Sequence, residues 1–433
     1  MKKVLHFLVI FGVGIASFLS LNSCSDTEIL SETNCYNMGI VNNPVNMQRT
    51  SIEAYNIVIS QRKNTATRLD GIQDSLTIHP ILAHEMYSDS ILQTVQMVDT
   101  VLFAVNINEH GGFYLVPGDL RLPEIIAYSD SGEFGLEPDT TTDTVPSSIL
   151  KGMLSNYCLT ITEDTPIHEL DPWEPPIRPE YPPFPDSVAI WRVYETLSPW
   201  ETTDSVPIML PVEWHQGYPY NNRLGNGQYY TGCVPIAVAQ LLAYHRYPQG
   251  IPTFPFDWNL MTASDDVIQS NWIAYMGEVG ELLRWICEGL NVQFGPDVTS
   301  AYMDDVSQFL SQAGFSHPSS LKNYDKDMVV QSLKSARPVL MRGNDGLHAS
   351  GHAWVIDGYK EQQRIKTTID TYWMTTTEEI QHQELLHCNW GGSNNGYYVE
   401  GIFDRYHLHN GNSGANQSDY YQYGLKMIDN IYP

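Results

Sequence analysis

A proline-dense stretch divides this chain and limits what it can fold into. Eight prolines lie in the twenty residues from 166 to 185. Each proline removes a backbone N–H donor and fixes φ, so the stretch cannot form a helix or a central strand. We therefore expect an exposed, extended linker at residues 166–190 with a folded domain on either side, and a linker backbone that proteases can reach. A ligand for a module that recognises proline-rich segments is the alternative.

The segment before the linker predicts a small α+β domain at residues 24–165. Its pattern indicates a helix from Ser51 to Arg62 and a hairpin that joins Thr100–Asn108 to Phe113–Val116. Hydrophobic residues make up 42% of the 433 residues and charged residues 17%. This balance is typical of globular proteins, and the length exceeds that of one ordinary core.

The segment after the linker, residues 191–433, predicts a second α+β domain. Helical spacing of apolar residues comes first along the chain and strand patterns come later, which favours a helical half and a β half. The helical segments are Val234–Tyr244, Ser270–Leu290 and Thr299–Ala313, and the strand segments are Pro338–Arg342, His352–Tyr359, His387–Trp390 and Tyr397–Val399.

The first residues have the features of a bacterial lipoprotein signal. Two lysines precede an apolar run from Val4 to Leu21, and a Leu-Asn-Ser-Cys sequence then ends at Cys24. A basic start, an apolar stretch and small residues before a cut site indicate export. Residues 1–23 are thus predicted to be a signal peptide and Cys24 to be lipidated, which would anchor the exported chain at the outer membrane or cell surface. A plain signal peptide is the alternative.

The composition excludes two classes of partner and site. The chain has 50 acidic against 23 basic residues and a formal net charge of −27, so it repels phosphate backbones and no nucleic-acid partner is expected. No Cys-x-x-Cys spacing occurs among the six cysteines, and no metal or cofactor site is predicted.

Export permits disulfides among Cys35, Cys158, Cys287 and Cys388, in three possible connectivities. Buried free thiols are the alternative.

One further cysteine has the local sequence of a nucleophile. Cys233 follows a glycine-containing loop and begins a predicted helix, with Pro235 in the first turn, where its missing N–H costs nothing. The positive end of the helix dipole favours a thiolate at this position. A buried, inert cysteine is the alternative.

Two later segments offer the groups that such a thiol needs. His352 opens an alternating strand; its imidazole would hold the thiol as a thiolate–imidazolium pair and later protonate the leaving amine. The Asn389 amide could accept a hydrogen bond from the second imidazole nitrogen, and the Trp390 indole could shield that bond from water. A buried Asn-Trp at a strand end with no catalytic role is the alternative.

Together these segments resemble the streptopain family, a branch of the papain-like cysteine peptidases, over nearly all of residues 205–433. The segments that carry the resemblance are Gln216–Asn221, Gly232–Pro248 and Gly351–Gly358. The resemblance implies a two-lobed fold with a helical lobe and an antiparallel β lobe, and an endopeptidase that hydrolyses proteins through an acyl-enzyme. It also implies that the Gln216 amide acts with the Cys233 N–H on the developing oxyanion.

The N-terminal domain resembles the inhibitory propeptide of the same family. The segments concerned are Gly112–Val116, Asp119–Pro123 and Tyr128–Gly132. This resemblance implies a zymogen whose prodomain acts as an intramolecular inhibitor. The chain departs from the family in a short loop after Trp390 and in a longer, polar Lys360–Leu386 segment, which bear on substrate preference more than on chemistry.

Other functions remain open. A catalytically silent surface lipoprotein could bind proteins through a peptidase-like fold, and a cell-wall amidase or a transglutaminase-like enzyme also uses Cys with His. The filled catalytic positions argue against the first, and the segment around Gln216 and the propeptide-like domain argue against the others. Serine and metal catalysis lack support, because Ser350 has no Gly-x-Ser-x-Gly frame and no second His follows His84-Glu85 at position 88.

Overall fold

The structure is a computed structural model that describes most of the chain after residue 47. The described residues are 34–35, 48–65, 75–87, 89, 92, 98–108, 111–136, 147–164, 193–252, 254–265, 272–295, 299–344, 351–370, 374–403 and 424–433. The predicted signal peptide, Cys24 and the proline-rich linker lie outside them. Within the described part, no helix is both long and apolar enough to cross a membrane.

Seventeen strands and eight α-helices are described. The strands are β1 (Asn34–Cys35), β2 (Leu76–Leu82), β3 (Thr100–Ile107), β4 (Phe113–Pro117), β5 (Ala127–Ser129), β6 (Val193–Leu197), β7 (Glu201–Val206), β8 (Gly250–Ile251), β9 (Phe254–Pro255), β10 (Gln293–Phe294), β11 (Thr299–Ser300), β12 (Lys322–Asn323), β13 (Val339–Asn344), β14 (Gly351–Asp370), β15 (Thr375–Asn389), β16 (Gly396–Val399) and β17 (Lys426–Ile428). The helices are α1 (Ser51–Thr65), α2 (Ala83–Met86), α3 (Ser147–Asp164), α4 (Cys233–His245), α5 (Trp258–Met261), α6 (Trp272–Gly289), α7 (Val306–Gln312) and α8 (Lys326–Lys334). Short 3₁₀ turns cover Gly225–Gly227, Met303–Asp305 and Glu400–Phe403.

One antiparallel sheet runs through both halves of the chain. Its order is β12-β17-β13-β14-β15-β16-β5-β4-β3-β2. Strands β2 to β5 belong to the N-terminal unit (the described residues from 48 to 164), and β12 to β17 belong to the C-terminal unit (the described residues from 193 on). The two units meet where β16 pairs with β5, with Tyr397 opposite Tyr128 and Tyr398 opposite Ala127.

The central strands of the N-terminal sheet, β3 and β4, are covered on both faces, which explains why they are mostly apolar. Along β3, Phe103 and Val105 face α1, whereas Leu102 and Ala104 join a larger core that includes α3. Alternating side chains of a strand point to opposite faces, so both faces bury apolar area. Each fully buried large apolar side chain contributes about 1.5–3 kcal/mol of transfer free energy. The predicted Ser51–Arg62 helix and the hairpin are both present.

Helix α4 forms the centre of the second core. All ten residues from Val234 to Ala243 are buried, as expected of a helix that is apolar all round. On one side it packs against the face of β14 that carries Ala353 and Val355. The other face of β14, with Trp354 and Ile356, belongs to the core that continues into the N-terminal unit. The sheet therefore separates α4 from the N-terminal unit.

One predicted helix differs from the structure. Thr299–Ala313 is not one helix: Thr299 and Ser300 pair with β10, so their backbone is extended and α7 begins only at Val306. The polar Lys360–Leu386 segment is a long hairpin arm made by the outer parts of β14 and β15. Strands β6 and β7 pair with β14 along this arm, which gives its backbone groups partners beyond the core.

Three of the cysteines are buried free thiols, which was the alternative to disulfides in the sequence analysis. Cys158, Cys287 and Cys388 are unpaired with any other cysteine and buried. Burial raises the pKa of each thiol, to about 12 for Cys287. These thiols are therefore protonated and inert at neutral pH. The side chain of Cys35 lies outside the described part of the chain.

Candidate active site

Cys233 lies at the first residue of α4, where the sequence predicts it. The residue before it, Gly232, caps the helix with φ +85°, a left-handed value that favours glycine. A Cβ at Gly232 would also come within 3.2 Å of the Thr299 side chain. Cys233 is only partly buried, unlike the three other cysteines whose side chains are described. A reagent in solution should therefore reach this sulfur first.

Helix α4 and strand β14 meet at the Cys233 sulfur. Burial raises the pKa of the Cys233 thiol, and the backbone N–H groups of Ala353, Val234 and Cys233 itself partly offset this by lowering the pKa. Ala353 follows His352 directly in β14. The predicted nucleophile thus lies against the backbone of the residue that follows the predicted base.

The backbone carbonyl of Trp390 orients the His352 ring. His352 Nε2 lies 2.9 Å from the Trp390 carbonyl oxygen. A carbonyl only accepts, so Nε2 carries the proton, and Nδ1 is the basic atom of the neutral ring. The Trp354 and Trp390 rings stack on the imidazole with centroid separations of 6.3 Å each. Trp390 is fully buried, and its shielding role stays a prediction.

Asn389 makes different contacts from those predicted. Its Nδ2 donates to the Val212 carbonyl at 3.0 Å, and its Oδ1 accepts from the Gly391 N–H at 3.1 Å. The second bond closes a tight turn in which Gly391 has φ +79°. Because Oδ1 is committed to this turn, the acceptor for His352 is the Trp390 carbonyl and not the Asn389 amide. Asn389 shapes the turn that presents this carbonyl.

Gln216 is held beside the Cys233 loop by its backbone. Its carbonyl accepts from the N–H and the hydroxyl of Thr231 at 3.1 and 3.2 Å, two residues before the cysteine. The preceding segment is tied to α4, because Trp214 N–H donates to Gln240 Oε1 at 3.2 Å. The Gln216 side chain is partly buried. The structure therefore brings the segment to the site, and the oxyanion role of the side chain stays a prediction.

The electrostatics of the site favour two neutral groups in this arrangement. Burial lowers the pKa of His352 to about 4, against the opposing effect of the Trp390 carbonyl. The pKa of Cys233 is raised. At neutral pH both shifts oppose the thiolate–imidazolium pair, so this form of the chain has a neutral thiol and a neutral imidazole.

The same shift predicts how stability depends on pH. The unfolded His352 binds a proton below about pH 6.5 and the folded one only below about pH 4, so stability rises with pH in this window and is lost on acidification. The contribution of His352 to the free energy of unfolding reaches about 3 kcal/mol. In a Cys233→Ala background, His352→Gln should lower this pH sensitivity, as measured by urea unfolding at pH 6.5 and pH 4. The exposed His382 provides the control, since His382→Gln should leave the pH sensitivity of stability unchanged. Equal pH sensitivity in the two variants would contradict the role given to His352.

Metal-ligand clusters are absent from the part of the chain that the structure describes. No group of three or more His, Cys, Asp or Glu side chains there could hold a metal ion.

Comparison with known sequences identifies similar proteins. Residues 214–398 match the Peptidase C10 family. The thiol protease/hemagglutinin PrtT of Porphyromonas gingivalis is 28% identical over 315 residues, which cover 63% of this chain and 33% of PrtT. Streptopain of Streptococcus pyogenes is 25% identical over 309 residues, which cover 64% of this chain and 72% of streptopain. The chain thus spans about one third of the length of PrtT.

A solved structure shows the same fold. A fragment of prointerpain A from Prevotella intermedia superposes with a TM-score of 0.51 at 19% identity, covering 83% of this chain and 99% of that fragment. The predicted fold class, α+β with a helical lobe and an antiparallel β lobe, is confirmed by this match and by the sheet described above.

Proposed function

Since the chain belongs to the Peptidase C10 family of streptopain-like cysteine peptidases, we propose that it is a cysteine endopeptidase that hydrolyses proteins through an acyl-enzyme. One observation carries the proposal. The only partly exposed cysteine among those whose side chains are described sits at a helix N-terminus, against the residue that follows His352. A thiol, a base and N–H donors are the groups that acyl transfer needs.

The geometry supports a sequence of proton transfers. His352 Nδ1 takes the thiol proton as the Cys233 sulfur attacks the substrate carbonyl carbon. The Trp390 carbonyl keeps its bond to Nε2–H and stabilises the imidazolium. His352 then protonates the leaving amine, and in the second half-reaction it takes a proton from the water that attacks the thioester. The Cys233 N–H and the Gln216 amide are the donors proposed for the oxyanion.

We also propose that the N-terminal unit keeps the enzyme latent. Strand β5 covers the edge of β16, the strand that follows the turn carrying Trp390. Gly135 and Asn394 exchange two hydrogen bonds of 3.0 Å four residues after Trp390. The neutral thiol and imidazole described above are consistent with a form in which catalysis is not yet enabled.

Export and anchoring are proposed on the sequence alone. The signal at residues 1–23 and the lipobox-like Cys24 support an exported lipoprotein attached to the outer membrane or cell surface. Incorporation of labelled palmitate into the expressed chain tests this proposal. The label should be lost in Cys24→Ala, and label retained in that variant would contradict lipidation at Cys24.

The central experiment measures protein hydrolysis and its dependence on the thiol. Purified protein is incubated with casein before and after treatment with iodoacetamide, and the alkylated residue is located by mass spectrometry. We expect hydrolysis that alkylation abolishes, with the label on Cys233. Hydrolysis that persists after complete labelling of Cys233 would overturn the proposed function.

The predicted oxyanion donor gives a separate expectation. Gln216→Ala should lower turnover on the order of a hundredfold, because one donor to the oxyanion is lost. The rate of Cys233 alkylation should not change, since alkylation forms no oxyanion. Gln228→Ala, at a loop position before the nucleophile, is the matched control. Turnover equal to wild type in Gln216→Ala would contradict the role.

A further inference from the structure

The C-terminal unit buries an Asp–His pair that the proposed chemistry does not use. Asp357 is fully buried, and its Oδ1 lies 2.6 Å from His387 Nδ1. Its Oδ2 accepts from the Leu210 N–H at 2.9 Å. The pair lies at a β-bulge, where the register of β14 and β15 shifts between Ile356 and Gly358. A bulge changes the direction of the side chains next to it. Here the Asp357 carboxylate points to the neighbouring segment that contains Leu210.

That neighbouring segment carries Gln216. We define the oxyanion segment as residues 209–217; it contains no helix or strand. Its backbone groups are therefore held by contacts from outside. Most of these come from the segments that carry Cys233, His352 and Asn389. Two contacts come from β14, since the Met209 N–H donates to the Asp357 carbonyl at 3.1 Å and the Leu210 N–H donates to the Asp357 carboxylate. Further contacts are the bonds already described from Asn389, Gln240 and Thr231, and the bond that the Glu213 N–H donates to the Asp265 carbonyl at 2.8 Å.

Asp357 connects the start of this segment to the strand of the base. It lies five residues after His352 in β14. The carboxylate therefore sets the distance between that strand and the start of the oxyanion segment, which contains Gln216. The bond from His387 fixes the orientation of this carboxylate. A carboxylate held by two donors in a buried site has little freedom to move.

We propose that Asp357, oriented by His387, is a positioning residue for the oxyanion donor Gln216. The inference rests on the proposed function. Misplacement of a catalytic group by about 1 Å can cost on the order of a hundredfold in rate, so a residue that only holds the segment has a measurable kinetic effect.

The test compares a disruptive and a conservative substitution in the full-length chain after activation by limited proteolysis. Asp357→Ala removes both side-chain bonds and should lower kcat for peptide hydrolysis about tenfold or more, with KM little changed. The rate of alkylation by iodoacetamide should stay at the wild-type value. Asp357→Asn should retain most of the turnover, because its Oδ1 still accepts from Leu210 and its Nδ2 can donate to the unprotonated nitrogen of a neutral His387. Asp429→Asn alters another largely buried carboxylate, paired with Lys322 at 2.8 Å, and should match wild type.

A double-mutant cycle separates positioning from general damage. If Asp357 acts through Gln216, Asp357→Ala should slow the wild type but not the Gln216→Ala variant. Full additivity of the two losses, or wild-type kcat in Asp357→Ala, would overturn the inference. If circular dichroism shows that Asp357→Ala does not fold, His387→Gln replaces it in the same cycle. Additive losses of kcat in that cycle would also overturn the inference. Wild-type protein without alkylation-sensitive hydrolysis would instead refute the proposed function, and the inference with it.

Discussion

Replacing Cys233 by Ala is expected to abolish peptidase activity while the chain stays folded. The substitution removes the nucleophile, and the side chain is only partly buried, so little packing is lost. Activity should fall by a factor on the order of 10⁴ or more, to the background of the casein assay. Circular dichroism and thermal unfolding of the same sample establish that the variant is folded.

His352→Ala should be comparably severe, since nucleophile and base act as one unit and their losses do not add. Cys158→Ala is a suitable control because it removes a buried free thiol of the N-terminal unit, away from the site. That variant should keep the activity of the processed wild type. Casein hydrolysis retained by a folded Cys233→Ala protein would refute the assignment of the nucleophile.

The elements whose signals are local could be predicted from the sequence. Helix α4 has apolar spacing throughout and a proline in its first turn, so both the helix and the position of Cys233 at its start follow from neighbouring residues. The β3–β4 hairpin likewise follows from two runs rich in strand-forming apolar residues and the glycine turn between them. Helix α8 has a comparable signal, because Asp325 caps it by accepting from the Met328 N–H.

The contacts that complete the site could not be predicted in the same way. His352 is oriented by a backbone carbonyl, and every residue has one, so the residue type of Trp390 contains no sign of this role. The amide of Asn389 fits an imidazole partner equally well in sequence, and only the turn at Gly391 shows that its oxygen is already engaged. The hairpin arm depends on pairing between β14 and strands β6 and β7, which lie far away in the chain.

The second large effect concerns activation. The uncut chain should have little activity, and a cut within residues 165–192 should allow it to rise. Strands β6 and β7 begin at Val193 and pair with β14, so a cut before Val193 leaves the C-terminal unit with all its strands. Casein hydrolysis before and after limited proteolysis, with N-terminal sequencing of the product, measures this. Cys233→Ala carried through the same treatment shows any activity of the added protease.

Cleavage alone does not separate the two units. The β5–β16 pairing and a shared apolar core still hold the N-terminal unit in place after the linker is cut. Activity should therefore follow dissociation of the unit, or its further degradation, and not the cut itself. Size-exclusion chromatography of the cut protein distinguishes these steps. Full activity of an uncut chain whose mass shows no processing would refute the proposed latency.

A single methyl group at the junction of the two units gives the sharpest form of this prediction. A Cβ at Gly396 would lie 2.6 Å from the Tyr128 carbonyl oxygen, and its next neighbours, Ser129 and Phe113, also belong to the N-terminal unit. Gly396→Ala should therefore weaken docking of the N-terminal unit, raise the activity of the uncut chain several-fold and speed its processing, while the freed C-terminal unit is little changed. Gly135→Ala adds the same methyl group at the same junction but meets no atom within 4 Å, so it should behave as wild type. If Gly396→Ala stayed as inactive before cleavage as Gly135→Ala, the β5–β16 contact would not be what maintains latency.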